Sequence, residues 1–388
     1  MAIDSRHSLA GAASMRYLKG GKAEKTQILD EFCANTGISR KHAVRLLRRP
    51  PQARTKRNRL RRRTYGELES EALRRLWPLC GYLSALRTVA ALSGVLEALE
   101  RHSEWLPEPK VRAKLLTMSA STCNRLLKPL RRHFPDKSCS GTKAGKYLKS
   151  QIAVRYGMDW DDAKPGFVEV DLVSHSGPIA EGTFLHTLTM VDVSTGWLEL
   201  AVLKGKGSVE AARQIGLAGS KLPFGLKGID SDNGSEFINY HLMKFCEDRK
   251  ILLTRSRPYI KNDGCRVEQK NGAVVRKHIG HRRLESDAHA KSLQELYSVL
   301  RLLVNFFEPS AKLTRTKTQD GKMKKTYDLP KTPYQRCLES DQVDESVKQD
   351  LTRKFLTLNP VRLRSRLQGF KEDLIDEDMV RFLRDFTT

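Results

Sequence analysis

Three short β-rich runs that follow Gly166 constrain the fold of this chain more than any other sequence feature. They cover residues 167–173, 184–193 and 197–203, and turns rich in Gly and Ser separate them. Runs of this length with many Val, Leu, Thr and aromatic side chains predict strands, and short connections favour pairing between consecutive strands. The sequence therefore predicts an antiparallel meander of three strands.

Helices and strands alternate after this meander. Periodicity and short apolar runs predict a helix near 209–218, a strand ending at 230–232, a helix at 239–250, a strand at 251–254, and helices at 264–279 and 291–307. This alternation indicates an α/β fold with a mixed sheet flanked by helices.

The charge balance of the chain indicates its partner. The sequence has 70 Lys and Arg against 45 Asp and Glu, a formal net charge of +25. Such an excess favours a polyanion, and nucleic acid is the leading candidate. Neither an apolar run of about 18 residues nor an apolar N-terminal signal run occurs, so we expect no membrane partner.

The cysteines do not indicate a metal or redox site. Their number is odd, they are scattered, and no C-x-x-C pair occurs. We expect reduced residues that are mostly in the core.

The first 63 residues carry much of the charge, with 17 Lys and Arg against 4 Asp and Glu. Residues 22–35 form one predicted helix, Gly37 supplies a turn, and Ser39 caps a second helix that runs to Leu47. This pattern predicts a helix-turn-helix, although an ordinary helical hairpin with a solvated basic face fits it equally well. In the first case, DNA would contact Arg40, Lys41, Arg45 and Arg48.

A basic linker at 54–63 leads into a second helical segment. We predict domains at 1–63 and 64–134, a linker at 135–162, a core at 163–310 and a basic C-terminal region at 311–388 that forms a small DNA-binding or assembly module. The segment 64–134 again shows a cap-and-helix pattern that indicates a second helix-turn-helix or a plain helical domain. Its candidate DNA contacts are Asn124, Arg125 and Lys128.

Three carboxylates lie at sequence positions that suggest a functional role. Asp171 interrupts an apolar strand, Asp232 follows the end of a strand, and Glu268 lies in the first turn of the predicted helix near 264–279. An ionised group inside an apolar run is costly unless a cation compensates it. Oxygen donors without Cys or His suit Mg²⁺ or Mn²⁺.

The spacing of these three residues resembles a known signature. Sixty residues separate Asp171 from Asp232, and 35 separate Asp232 from Glu268. The chain is thus similar to the DDE transposases of bacterial insertion sequences, which contain an integrase catalytic core. The Asp-Asn-Gly segment at 232–234 and Asn271 also match, and the similarity covers about residues 163–310.

The resemblance implies a ribonuclease H-like core behind all-α helix-turn-helix domains. It also implies that Asp171, Asp232 and Glu268 are catalytic and hold two Mg²⁺ or Mn²⁺ ions. The implied enzyme binds terminal inverted repeats, cleaves double-stranded DNA at transposon ends and transfers the 3′-hydroxyls into target DNA. A homodimer or higher oligomer in a synaptic complex, and a cytoplasmic, nucleoid-associated location in a bacterium, are implied as well.

Other acidic and histidine residues rank lower as candidates. Asp192 and Asp230 also lie at predicted strand ends, but neither completes the 35-residue interval. Glu236 is interpreted as a helix-start residue. We assign no catalytic role to His175 and His186, because a lone His on a strand is more often structural.

The loop before the Glu268 helix, together with that helix, carries further candidate DNA contacts. Basic groups would hold phosphates while an aromatic ring stacks on a base, although an ordinary solvated loop is the alternative. The candidates are Arg257, Tyr259, Lys261, Lys270 and Asn271.

Two other functions remain open at this stage. One is a catalytically inactive or domesticated DNA-binding regulator, which three retained carboxylates at matching spacing argue against. The other is a ribonuclease H-type nuclease, which shares the metal chemistry but has little use for N-terminal sequence readout.

Overall fold

The computed structural model describes residues 3–49, 64–133, 153–154, 164–179, 181–232, 234, 236–256, 265–319 and 322–387. The chain divides into two compact units, Met1–Thr64 and Tyr65–Thr388. Each unit has its own core, and each is described here by itself.

The first unit is a bundle of three helices, α1 (Ile3–Lys19), α2 (Lys22–Thr36) and α3 (Arg40–Arg48). The two predicted helices correspond to α2 and α3, whereas α1 was not predicted. Gly37 has a φ of 71° and ends α2, a backbone conformation that favours glycine. Ser39 occupies the N-cap position of α3, but its side chain accepts no capping hydrogen bond.

The core of this unit is small. The Ser14 hydroxyl donates to the Leu47 carbonyl at 2.7 Å and ties α1 to the end of α3. The buried apolar residues are Ala10, Tyr17, Ile28, Leu29, Phe32, Ala43 and Leu47. They leave the basic face of α3 in solvent.

The second unit begins with four helices, α4 (Glu67–Leu79), α5 (Ala85–Arg101), α6 (Pro109–Leu116) and α7 (Ala120–Leu127). Pro78 lies inside the last turn of α4. The Ser119 side chain accepts from the Thr122 backbone N–H at 3.2 Å and caps α7 as the sequence predicts.

A six-stranded mixed sheet follows. Its strands are β1 (Ala153–Val154), β2 (Phe167–Ser174), β3 (Leu185–Asp192), β4 (Leu198–Lys204), β5 (Gly228–Ser231) and β6 (Leu252–Arg255). Their order across the sheet is β1-β6-β5-β2-β3-β4. The strands β2, β3 and β4 pair antiparallel, which confirms the predicted meander, and β2, β5, β6 and β1 pair parallel. The core has the ribonuclease H-like fold that was predicted.

Helices flank this sheet. They are α8 (Ser208–Gly219), α9 (Tyr240–Asp248), α10 (Cys265–Lys270), α11 (Lys277–Ile279) and α12 (Asp287–Phe307). A π-helical turn, Asn271–Arg276, joins α10 to α11. The buried Glu199 carboxylate on β4 accepts from Arg301 of α12 at 2.6 Å, which fixes α12 against the sheet.

The C-terminal region contains a hairpin and three helices. They are β7 (Leu313–Gln319), β8 (Lys322–Tyr327), α13 (Pro333–Glu339), α14 (Glu345–Thr357) and α15 (Pro360–Thr387). The helix α15 packs along α12, and its buried leucines belong to the same core as α4–α7 and the sheet. The structure thus groups the predicted segments 64–134, 163–310 and 311–388 into one compact unit.

None of the helices that the structure describes is both long and apolar enough to cross a membrane.

A buried carboxylate at the end of α12 connects this helix to α15. Glu308 accepts from Arg364 of α15 at 2.6 Å. Burial raises the pKa of Glu308, but the positive charges of Arg364 and Lys277, with a smaller contribution from His278 and the hydrogen bond from Arg364, outweigh this effect and lower the pKa to about 2. The ionised carboxylate is therefore part of the folded state.

Glu308→Gln is expected to destabilise the protein by about 3 kcal/mol at pH 7, because it leaves buried positive charge without its partner. Since the folded-state pKa lies below the ordinary value of 4.5, the stability that Glu308 supplies is present above pH 4.5 and is lost as pH falls toward 2. Thermal unfolding at pH 7 and pH 3 measures both effects. The exposed Glu345→Gln is the control, and equal unfolding temperatures for the two variants would contradict this role.

Candidate active site

Asp171 and Asp232 lie side by side because their strands are neighbours. The strands β2 and β5 pair parallel, with Val170 opposite Ser231. Asp171 is the next residue of β2, and Asp232 is the first residue after β5. The sheet register thus brings together two carboxylates that 60 residues separate in the sequence.

The turn after β5 holds the Asp232 carboxylate in place. The Gly234 backbone N–H donates to Asp232 Oδ1 at 2.9 Å. A Cβ atom at position 234 would lie 2.7 Å from Glu236 Cδ and 2.8 Å from Asp232 Oδ1. The turn therefore needs glycine at this position, because a side chain would displace both carboxylates.

Glu268 is brought to this edge by a contact that the sequence analysis missed. The Glu169 carboxylate is buried on β2, two residues before Asp171. It accepts from the backbone N–H groups of Arg266 and Val267 at 3.0 and 3.1 Å, and from Arg266 Nη1 at 3.1 Å. These bonds satisfy the first N–H groups of α10, the helix that carries Glu268. One strand therefore presents Asp171 and also anchors the Glu268 helix.

Glu169 had a detectable signal in the sequence. It alternates with Asp171 on one face of a strand whose other face carries Val168 and Val170. Two acidic residues at this spacing in an apolar strand indicate that both have partners.

Negative charge is concentrated around Asp171. Burial and the Asp232 carboxylate raise the pKa of Asp171, the Leu172 backbone N–H lowers it, and the Glu268 and Glu236 carboxylates raise it further, to about 7. Lys206 Nζ approaches Glu236 at 3.8 Å, too far for a hydrogen bond. The predicted carboxylates Asp232 and Glu268 thus lie within electrostatic reach of Asp171, and so does Glu236.

We had expected Glu236 to begin a helix, but the structure places it before the helix. The helix α9 begins at Tyr240, and its N-cap is Asn239, whose side chain accepts from the Leu242 backbone N–H at 2.9 Å. Glu236 lies in the turn before this cap, which directs it toward the other carboxylates.

Asn271 contacts the site directly. Its Nδ2 donates to Asp171 Oδ2 at 2.6 Å, and its buried Oδ1 has no hydrogen-bond partner in the part of the chain that the structure describes. Asn271 is the first residue of the π-helical turn, an irregularity that often occurs at functional sites. We predicted Asn271 as a DNA contact; in the structure it orients the Asp171 carboxylate.

The donor set suits a hard divalent cation. Carboxylate oxygens are the ligands that Mg²⁺ and Mn²⁺ prefer, and their mutual repulsion around Asp171 is what such a cation relieves. In the part of the chain that the structure describes, no three His, Cys, Asp or Glu side chains converge closely enough to hold a metal ion. Exposed Asp232 and Glu268 would have to move closer to Asp171 to hold one.

The lower-ranked candidates have structural partners. The Asp192 carboxylate accepts from the backbone N–H groups of Gly166 and Thr195 at 2.8 and 2.7 Å, which fixes the β3–β4 turn. Asp230 Oδ1 accepts from the Thr254 hydroxyl on β6 at 2.7 Å. The His175 ring bonds to the Thr187 hydroxyl at 2.6 Å.

His186 has a similar position in the sheet. It is buried and stacks on Phe184 with ring centroids 4.9 Å apart. Burial lowers the pKa of the His186 ring to about 4, so the ring is neutral near pH 7.

The predicted DNA contacts differ in accessibility. Arg40, Lys41, Arg45 and Arg48 on α3 and Asn124, Arg125 and Lys128 at α7 are exposed. Lys270 is half-buried, and burial together with the nearby Arg87 lowers its pKa to about 8. The predicted contacts outside the described residues are Arg257, Tyr259 and Lys261.

Comparisons with known proteins agree with the position of this site. The model of the integrase core domain matches residues 161–261, which include Asp171 and Asp232. An uncharacterized protein of Sinorhizobium fredii, y4rM, is 39% identical over 343 residues, which are 87% of this chain and 96% of that protein. The Pro-Pol polyprotein of feline foamy virus is 32% identical over 98 residues, and the match covers 25% of this chain and 8% of the polyprotein.

Two solved structures are also similar. The catalytic core domain of HTLV-2 integrase in complex with magnesium is 16% identical with a TM-score of 0.29, and the match covers 38% of this chain and 91% of that one. The catalytic core domain of BIV integrase is 18% identical with a TM-score of 0.29, and the match covers 45% of this chain and 95% of that one.

Proposed function

Because this chain belongs to the DDE transposase and integrase family, we propose that it is a transposase that cleaves DNA ends and joins their 3′-hydroxyls to target DNA. The observation that carries this proposal is the group of carboxylates around Asp171, which includes Asp232 and Glu268. Such a group is unfavourable in a folded protein unless it binds cations.

Asp171, Asp232 and Glu268 would hold the metal ions. When bound, two Mg²⁺ or Mn²⁺ ions would activate a water or a 3′-hydroxyl and stabilise the leaving oxygen of an in-line phosphodiester attack. The Asn271 amide and the Leu172 backbone N–H orient the Asp171 carboxylate, and the Gly234 N–H orients Asp232. The chain itself thus supplies charge and orientation.

Glu169 is a positioning residue in this mechanism. Its bonds to N–H groups in the first turn of α10 set the position of Glu268 relative to Asp171. A displacement of about 1 Å at a reacting group can cost roughly 100-fold in rate. The alignment of this helix is therefore important for the reaction.

Glu169→Gln is expected to lower DNA cleavage about 10- to 100-fold and to raise the Mg²⁺ concentration needed for half-maximal activity, with DNA binding unchanged. A neutral amide loses the charge-assisted bonds to α10. The matched control is Glu199→Gln, which breaks a buried pair with Arg301 on another part of the sheet. If both variants lower activity equally and neither changes the Mg²⁺ concentration needed for half-maximal activity, the role of Glu169 is structural only.

The N-terminal unit would select the DNA ends. Its helix α3 presents Lys41, Arg45 and Arg48 in solvent beside a three-residue turn, an arrangement that suits the recognition helix of a helix-turn-helix. Joining two ends requires at least two catalytic sites, so we propose that the chain acts as a dimer or higher oligomer.

A strand-transfer assay tests this function against its alternatives. Labelled duplexes that carry the inverted repeats flanking the coding region are incubated with a supercoiled plasmid and Mg²⁺, and EDTA replaces Mg²⁺ in the control. If the chain is a transposase, the labelled duplex becomes joined to the plasmid in the presence of Mg²⁺. Cleavage without joined product would support a nuclease, and binding without cleavage would support a regulator.

A further inference from the structure

A large basic cavity lies behind the helix that carries Glu268. Its lining residues come from the end of α4 and the α4–α5 turn (within 77–84), from Arg131, from the segment 272–281 and from α15 (within 364–371). Its volume is about 1300 Å³, larger than a typical small-molecule pocket of about 300–1000 Å³. The size fits a segment of a polymer rather than a metabolite.

The wall of this basic cavity is positively charged. Five Arg and Lys side chains line it, and the described lining residues include neither Asp nor Glu. Lys277 donates to the Gly81 carbonyl at 2.6 Å, a neutral acceptor. Arg364 pairs with the buried Glu308 behind the wall. One described carboxylate thus faces several cations.

Two buried atoms on the wall, Arg131 Nη2 and His278 Nδ1, have no hydrogen-bond partner among the described residues. Burial and the cations Lys371, Lys277 and Arg364 lower the pKa of His278 to about 3. Buried polar groups normally have partners, so these two atoms are positions where a bound ligand could form hydrogen bonds.

The α4–α5 turn adds an aromatic surface to the wall. Tyr82 has a φ of 55°, an uncommon conformation for a residue other than glycine, and its side chain is 47% exposed. Its backbone N–H donates to the Trp77 carbonyl at 3.0 Å, and the two rings meet edge to face at 5.1 Å. A strained backbone that presents an aromatic ring at a concave surface indicates a binding role.

We propose that the basic cavity binds an unpaired segment of a DNA strand. Its phosphates would contact Arg131, Lys277 and Lys371, and one base would stack on Tyr82. Basic walls with an exposed aromatic ring are how proteins bind single strands without sequence preference, because every base has a stacking face. A duplex keeps its bases stacked inside and offers none to Tyr82.

This inference rests on the proposed function, since it supplies a site for the strand that unpairs near the cut. The wall segment 272–281 continues the helix of Glu268 through the π-helical turn. A strand in the basic cavity would therefore lie against the same helix that contributes to the candidate active site.

Binding of a fluorescent single-stranded oligonucleotide to the full chain tests the inference. The assay contains EDTA, so that it is independent of cleavage, and excess unlabelled duplex, so that duplex-binding surfaces are occupied. Arg131→Gln combined with Lys371→Gln is expected to raise the Kd at least tenfold. It should also lower the slope of log K against log salt by about 0.7 for each phosphate that is no longer neutralised.

The matched control removes the same charge elsewhere in this unit. Lys244→Gln combined with Lys354→Gln changes two exposed lysines on α9 and α14, and its Kd should change less than twofold. Equal weakening by both pairs of substitutions, or no weakening by the cavity pair, would overturn the proposal. The proposal would also be overturned if the variant with both cavity substitutions lost duplex affinity as much as it lost single-strand affinity.

Tyr82 provides a test that does not change charge. Tyr82→Ala is expected to weaken binding roughly tenfold and to abolish the quenching of 2-aminopurine placed in the oligonucleotide, whereas Tyr82→Phe retains both. Unchanged quenching in a folded Tyr82→Ala protein would overturn the stacking role. If strand transfer fails while these results hold, the proposed function is wrong and the binding site stands.

Discussion

Asp171→Asn and Asp232→Asn are each expected to reduce DNA cleavage and joining by roughly 100- to 10,000-fold. An amide keeps the shape of the carboxylate but is a weak, uncharged metal ligand. Metal binding is therefore lost, and with it several kcal/mol of transition-state stabilisation. Binding of the terminal repeat should be unchanged. The measurement is single-turnover cleavage of a labelled end in Mg²⁺.

Asp192→Asn is the control for this prediction. Its carboxylate is buried in the same sheet but accepts from the Gly166 and Thr195 N–H groups of a turn. We expect it to lower stability without a specific loss of cleavage. If Asp192→Asn abolishes cleavage in folded protein while Asp171→Asn leaves it intact, the assignment of the site is wrong.

The largest expected effect on binding comes from α3. Changing Lys41, Arg45 and Arg48 to Gln in the full chain should weaken binding of the terminal repeat by at least about 100-fold at 0.15 M salt. The slope of log K against log salt should fall by about 0.9 for each phosphate that these side chains neutralise in the wild type. Cleavage of an end at saturating protein should be unaffected. Binding titrations at several salt concentrations measure both quantities.

A second triple variant controls for the change in charge. Arg16, Lys19 and Lys22 are exposed near the α1–α2 turn of the same unit, and changing them to Gln removes the same charge. We expect at most a few-fold weaker binding, since these residues lie outside α3. Equal weakening by the two triple variants would indicate general attraction rather than a recognition helix.

The sequence predicts the sheet well because its signals are local. Each meander strand is an apolar run between turns, and the structure confirms three antiparallel strands at nearly the predicted bounds. Asp171 and Asp232 interrupt or end such runs, so a charged residue in an apolar environment identifies them. The proximity of these two residues then follows from strand order.

Contacts between distant segments were not predictable in this way. The bonds from Glu169 to the N–H groups of Arg266 and Val267 join residues nearly 100 positions apart, and no periodicity reports them. The same is true of the packing of α15 on α12, which places the C-terminal region in the core of the second unit.

Two elements were missed for compositional reasons. The helix α1 contains Ala10, Gly11, Ala12 and Ala13, which give no strong apolar stripe. In the hairpin β7–β8, the first strand alternates Thr with Arg and Lys and the second is rich in Lys, so both faces look polar and the strand signal is weak.

The measurement that tests the account most directly compares wild type and Glu268→Gln in the formation of joined product from a terminal-repeat duplex, with Mg²⁺ and with EDTA. We predict joined product for the wild type in Mg²⁺ alone, and none for Glu268→Gln despite equal binding of the duplex. Joined product from Glu268→Gln at the wild-type rate, or from the wild type in EDTA, would contradict the carboxylate mechanism.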